Sequence, residues 1–112
     1  MNNLPNLNNC TIALIGLGYV GLPLATEFAL KKKSILDNSK LKRKIIGFDI
    51  NHARIENLKK FIDVTKEIDS DTLKKTTNIF FTSDAKDLSK ADVYIVTVPT
   101  PIDQSKNQIF IF

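Results

Sequence analysis

The sequence predicts an α/β fold: a doubly wound parallel sheet whose strands alternate with helices. Three observations lead there. Short apolar, β-branched runs recur at 10–16, 45–49, 79–82 and 93–98. Stretches with helical spacing of apolar residues lie between the earlier of these runs. The first run breaks off into glycines at 16, 18 and 21, and a helix follows at once. Short apolar runs of this kind suit strands buried on both faces, and parallel strands linked through helices require right-handed crossovers.

Each element has its own signature. Residues 10–16 (CTIALIG) form a buried strand that ends at glycine. Residues 22–32 read as a helix, with Gly21, Ala25, Phe28 and Ala29 on one face. Pro23 falls in its first turn, where a missing N–H costs little. Residues 34–42 lack apolar periodicity and contain Asp-Asn-Ser, so they read as a loop. The second strand is 45–49 (IIGFD), and the second helix 51–61 turns Ile55 and Leu58 inward. A short helix fits 71–75, and IFFT at 79–82 is the third strand. Residues 84–90 read as one or two helical turns. The fourth strand, VYIVTV at 93–98, is stopped by Pro99 and Pro101.

Composition narrows the function classes. The 112 residues suffice for one core, and 43% hydrophobic with 25% charged residues is ordinary for a globular chain. No apolar run approaches the roughly 20 residues that a membrane helix needs. Residues 1–9 are polar and Asn-rich and do not read as a secretory signal. The single cysteine, Cys10, cannot close an internal disulfide, which fits a cytoplasmic setting. A formal charge of +4 and a pI near 9.2 raise nucleic acid as a partner. However, the densest lysine groups, at 31–33 and 40–44, flank one loop and have no interleaved aromatics for base stacking. They read as solvated surface, and neither nucleic acid nor membrane is expected as a partner.

The run Gly16-Leu17-Gly18-Tyr19-Val20-Gly21 is a G-x-G-x-x-G. Alone the pattern is weak, but here a buried strand ends in it and a helix starts from it. That context makes the sheet Rossmann-like. Gly16 permits the tight turn, Gly18 lets backbone approach a pyrophosphate, and Gly21 lets the helix pack on the sheet. The N–H groups and positive dipole end of that helix then face the phosphates. All six residues, Leu17 included, are assigned to the cofactor site.

Asp49 ends the second strand, where a carboxylate accepts hydrogen bonds from adenosine ribose hydroxyls and repels a 2′-phosphate. NAD is therefore favoured over NADP, with helix capping as the competing role for Asp49. Asp49 follows Gly16 by 33 positions, against the roughly 20 usual for this fingerprint. The lysine-rich loop from 33 to 43 accounts for the excess as a surface insertion of low cost. Arg54, five positions beyond Asp49, is either solvated on an exposed helix or turned toward the adenosine. His52, the sole histidine, reads as a solvated helix-start residue. No catalytic residue and no metal ligand is assigned.

With these residues together, the sequence resembles the UDP-glucose/GDP-mannose dehydrogenase family. The matching stretches are IALIGLGYVGLPLATEFA (12–29), IIGFDINHARIENL (45–58), FTSDAKDLSKADVYIVTVPTPID (81–103) and, more loosely, DVTKE (63–67). Within the family it is most similar to the bacterial UDP-N-acetylhexosamine 6-dehydrogenases of polysaccharide biosynthesis, the Vi-antigen type. The resemblance implies that Gly16, Gly18, Tyr19, Val20 and Gly21 line the pyrophosphate, largely through backbone. It implies that Asp49 and Arg54 hold the adenosine end. Val98, Pro99, Thr100 and Pro101 would form the turn beneath the cofactor. The family reaction is two NAD-dependent oxidations of a sugar C6 alcohol to a carboxylate, through a cysteine-bound thiohemiacetal and thioester. The nucleophile of that reaction lies far downstream of such a domain, and Cys10, ahead of the first strand, is expected to be packed and inert.

The expected organisation is a polar tail at 1–9, a partial NAD-binding domain at 10–103, and a tail at 104–112 that departs from the family. The sheet is thus expected to be truncated, and Ile109 to Phe112 to lack a partner. The UDP-sugar site and a homodimer belong to the full-length form. Three readings follow. The chain is the NAD-binding portion of a nucleotide-sugar 6-dehydrogenase, inactive alone; or a stand-alone NAD-binding regulatory or interaction module; or a non-functional truncated gene product.

Overall fold

A computed structural model describes residues 9–33, 40–99 and 107–112. Its sheet has five strands in the order β3-β2-β1-β4-β5: β1 Thr11–Ile15, β2 Lys44–Phe48, β3 Ile79–Thr82, β4 Val93–Pro99 and β5 Asn107–Ile111. The first four strands are parallel, and their order places β1 and β4 side by side at the centre. This is the strand order of the first half of a doubly wound dinucleotide-binding sheet.

The chain is wound on both faces. Ile12, Leu14, Ile45, Phe81 and Ile95 share one face with the buried residues of the helices α1 (Gly21–Leu30), α2 (His52–Lys59) and α3 (Ser70–Lys75). Leu22, Ala25 and Ala29 of α1 and Ile55 and Leu58 of α2 meet them there, on the helical spacing the sequence predicts. Phe28 packs at the margin of this cluster. Tyr94 alternates with Ile95 and so points the other way, where its hydroxyl donates to the Leu88 carbonyl. Leu88 belongs to the 3₁₀ helix Ala85–Lys90, which therefore crosses the opposite face. Ala13, Ile46 and Phe48 are buried on that side.

Local chemistry explains the ends of the elements. Asn51 caps α2 by accepting the Arg54 N–H, Asp69 caps α3 through Thr72, and Asp84 caps the 3₁₀ helix through Lys86. The chain leaves α2 by a Schellman turn, with the Ile62 N–H on the Asn57 carbonyl and the Phe61 N–H on Leu58. Phe61 takes the left-handed conformation there, φ 64°, which glycine usually fills. Asn78 Nδ2 donates to the carbonyls of Ala29 and Arg43, tying the end of α1 to the entry of β2.

Two expectations are corrected. The fourth strand does not stop before Pro99: it runs through that residue, whose register partner is Asn107. The terminal run does have a partner. It forms β5, antiparallel to β4, and beyond its end Phe112 and Tyr94 exchange backbone hydrogen bonds of 2.7 and 2.9 Å. Strand pairing engages the β4-facing backbone groups of the terminal run, although the side chains of Ile111 and Phe112 are exposed. The free edge on this side is thus β5, with β3 at the other.

Candidate functional site

The site begins where β1 runs out. Gly16 donates its N–H to the Phe48 carbonyl at 2.8 Å and turns with φ +97°. A Cβ at this position would lie 2.3 Å from the Thr97 carbonyl oxygen, so both the turn and the neighbouring strand require glycine. At Gly21 a Cβ would lie 1.6 Å from the Gly16 carbonyl oxygen, so close helix–loop contact forbids a side chain. Gly18 differs from both. Its φ is not left-handed, and a Cβ there would meet nothing within 4 Å.

The helix that follows presents an uncompensated positive end. Val20 occupies the N-cap of α1 without a side-chain cap, and the first turn holds no acidic residue. Leu22 and Leu24 return their N–H groups to the carbonyls of Gly18 and Val20, and Pro23 has none to give. Tyr19 stands at the tip of the loop, 65% exposed.

Charged side chains hold the loop from beneath. Asp49, just past β2, accepts the Leu17 N–H at 2.9 Å and the Asn51 N–H at 3.0 Å. The helix-capping role falls to Asn51 and not to Asp49. Arg54 is not a solvated arginine: it is 7% exposed. Its Nε donates to the Leu17 carbonyl at 2.8 Å, and its Nη1 donates to Asp63 Oδ1 at 2.6 Å. Its Nη2 is buried without a partner among the described residues.

Asp63 is the residue that sequence reasoning missed. Its side chain is wholly buried, and it also accepts the Thr65 N–H and hydroxyl and the N–H groups of Glu67 and Ile68. Burial opposes its charge, but the Thr65 hydroxyl, Arg54 and the backbone donors outweigh it and hold the pKa at about 2. The loose family match at 63–67 was the available signal. Thr97 was missed as well; its hydroxyl donates to the Gly16 carbonyl at 2.8 Å from within β4. A threonine amid the apolar VYIVTV was the clue.

The remaining expected residues fall as follows. Val98 and Pro99 are the last two residues of β4 and not part of a turn; they lie beyond the stretch that pairs with β1, opposite Gln108 and Asn107 of β5. Thr100 and Pro101, like most of the lysine-rich insertion, lie outside the described residues. His52 is exposed, as expected, with Nδ1 2.6 Å from the Ser83 hydroxyl. Cys10 is buried in the core cluster. Among the described residues no cluster of metal-ligating side chains forms, and no helix is long and apolar enough to cross a membrane.

A dinucleotide suits this arrangement: an unhindered backbone at Gly18, an uncapped helix end, a carboxylate at the end of β2, and a spare buried guanidinium donor. Comparison with known proteins agrees. The family model described as UDP-glucose/GDP-mannose dehydrogenase family, NAD binding domain, matches residues 10–109. A UDP-N-acetyl-D-glucosamine 6-dehydrogenase of Pseudomonas aeruginosa is 46% identical over 100 residues, 89% of this chain and 21% of that protein. Protein CapL of Staphylococcus aureus is 50% identical over 96 residues, 86% of this chain and 20% of its own length. A UDP-N-acetyl-D-glucosamine 6-dehydrogenase of Salmonella typhi is 42% identical, with 89% and 21% covered. The chain thus spans about a fifth of the length of these curated relatives. No solved structure matches it. On the glycine turn, the strand order and the family match together, the chain belongs to the UDP-glucose/GDP-mannose dehydrogenase family, as its NAD binding domain.

Proposed function

We propose that residues 10–103 hold NAD for the oxidation of a UDP-sugar C6 alcohol to a carboxylate, in the cytoplasm, within polysaccharide biosynthesis. Catalytic and sugar-binding groups would come from sequence beyond this domain, in an enzyme that acts as a homodimer. Gly16 through Gly21, Leu17 included, would cradle the pyrophosphate by backbone. Asp49 would accept the ribose hydroxyls, and the spare Nη2 of Arg54 would donate at the adenosine end. Val98 to Pro101 would pass beneath the cofactor. NAD, when bound, supplies the hydride acceptor; this chain's own residues bind and orient it.

One observation carries the reading. The structure gives no internal reason for glycine at position 18, because a side chain there would meet open space. Close approach by a ligand is the reason that remains. A calorimetric titration of the 112-residue chain with NAD and with NADP tests it. Saturable NAD binding, with NADP weaker because Asp49 repels its phosphate, is the expected result. No heat with either nucleotide from a folded chain would refute it.

A further inference from the structure

We infer that Asp63 is a positioning residue for the cofactor loop, acting through Arg54 on the peptide that joins Leu17 to Gly18. The inference rests on the cofactor reading above and deepens it. Asp63 cannot touch a ligand through its carboxylate, since that group is wholly buried and both oxygens are occupied. What it holds is Nη1 of Arg54. A guanidinium is a rigid planar fork, so fixing Nη1 also fixes Nε. That Nε is the group that grips the Leu17 carbonyl at 2.8 Å.

The consequence follows from peptide geometry. The Leu17 carbonyl and the Gly18 N–H belong to one planar trans unit, so they point in opposite directions. Arg54 draws the Leu17 carbonyl toward α2, which turns the Gly18 N–H the opposite way, away from the guanidinium. Asp49 holds the other side of Leu17, through its N–H. Glycine is the residue most able to let its preceding peptide flip, because it tolerates either sign of φ. A flip would put a carbonyl oxygen where a pyrophosphate needs a donor. Asp63, Arg54 and Asp49 together keep the peptide in the anion-binding sense.

The test uses the full chain and the variant Asp63→Asn, read by circular dichroism, NAD titration and amide NMR. The variant, compared at a temperature where it is folded, should bind both NAD and ADP-ribose at least tenfold more weakly. Without any ligand its Gly18 amide should show microsecond-to-millisecond exchange that is absent from the parent chain. A quiet Gly18 amide in folded Asp63→Asn overturns the inference, as does unchanged affinity. The amide signal is read without nucleotide, so it decides the relay even if the parent chain fails to bind NAD, a result that would sink the cofactor reading instead. If Asp63→Asn does not fold, Arg54→Lys answers the same question. Lysine keeps the charge but cannot bridge Leu17 and Asp63 as a fork, and parent-like Gly18 dynamics in that variant would also overturn the inference.

Discussion

Replacing Gly18 by alanine separates what the fold needs from what a ligand needs. The added methyl group would meet no atom within 4 Å, and the backbone at this position is not left-handed. The folded chain therefore accepts it without strain. The unfolded chain meanwhile loses freedom, so the substitution should stabilise by about 0.4–1 kcal/mol. For a domain of this size that is a rise in Tm of roughly 2–8 °C. The same methyl occupies the side from which a pyrophosphate would approach. Pushing the phosphates off the loop forfeits a charge-assisted hydrogen bond, about 1.5–3 kcal/mol, or roughly ten- to hundredfold in Kd. Differential scanning fluorimetry and NAD calorimetry on one preparation measure both effects. Gly21→Ala is the contrast, because its Cβ would lie 1.6 Å from a carbonyl oxygen. It should lose fold and binding together. Parent-like NAD affinity in a stable Gly18→Ala chain would refute the reasoning, and so would a fall in its Tm.

Two further outcomes follow from the loop beneath the site. Asp63 titrates at about 2 in the folded chain, below its ordinary 3.8, so its contribution is complete above pH 4 and lost as pH falls through 2. The loss is about 2 kcal/mol and should appear as a falling urea midpoint between pH 4 and 2, flattened in Asp63→Asn; exposed Asp69, also lowered by its bonds to Thr72, adds in the same direction. Lys66 is exposed and left-handed, with φ 59°. Lys66→Gly relieves a backbone cost that slightly exceeds glycine's extra entropy, and should raise stability by roughly 0.5 kcal/mol in a urea titration; a lower midpoint would contradict the left-handed backbone.

The relay to Leu17 also shows why binding loops of this kind lean on charges outside the motif. A glycine-rich turn is permissive by composition, so its shape has to be imposed by neighbours. Here a buried ion pair imposes it. Breaking such a pair from one side typically costs about 3–5 kcal/mol, because the other charge is left buried and unpaired. Substitutions at Asp63 or Arg54 should thus be read with stability and affinity measured separately.

Residues 10–16 and 93–98 read as strands, and α1 and α2 as helices, from features contained within a few neighbouring residues. Period, β-branching and glycine spacing are local, so the sequence displays them directly. From them followed the alternation, the parallel core of the sheet and the glycine turn with Asp49 beyond it. The partners of those residues were not legible. Thr97 meets Gly16 across 81 positions, Arg54 meets Leu17 across 37, and Leu17 meets Asp49 across 32. Nothing local marks such pairs, because they meet only once the strands have assembled in the order 3-2-1-4. The burial of Arg54 is decided there too, since its helix alone would leave it in water. So is the pairing of β5, where an apolar ending without an evident mate finds the open edge of β4. Local chemistry determined the four parallel strands, the helices between them and the glycine turn; assembly of the sheet decided the pairing of β5 and which side chains hold that turn in shape.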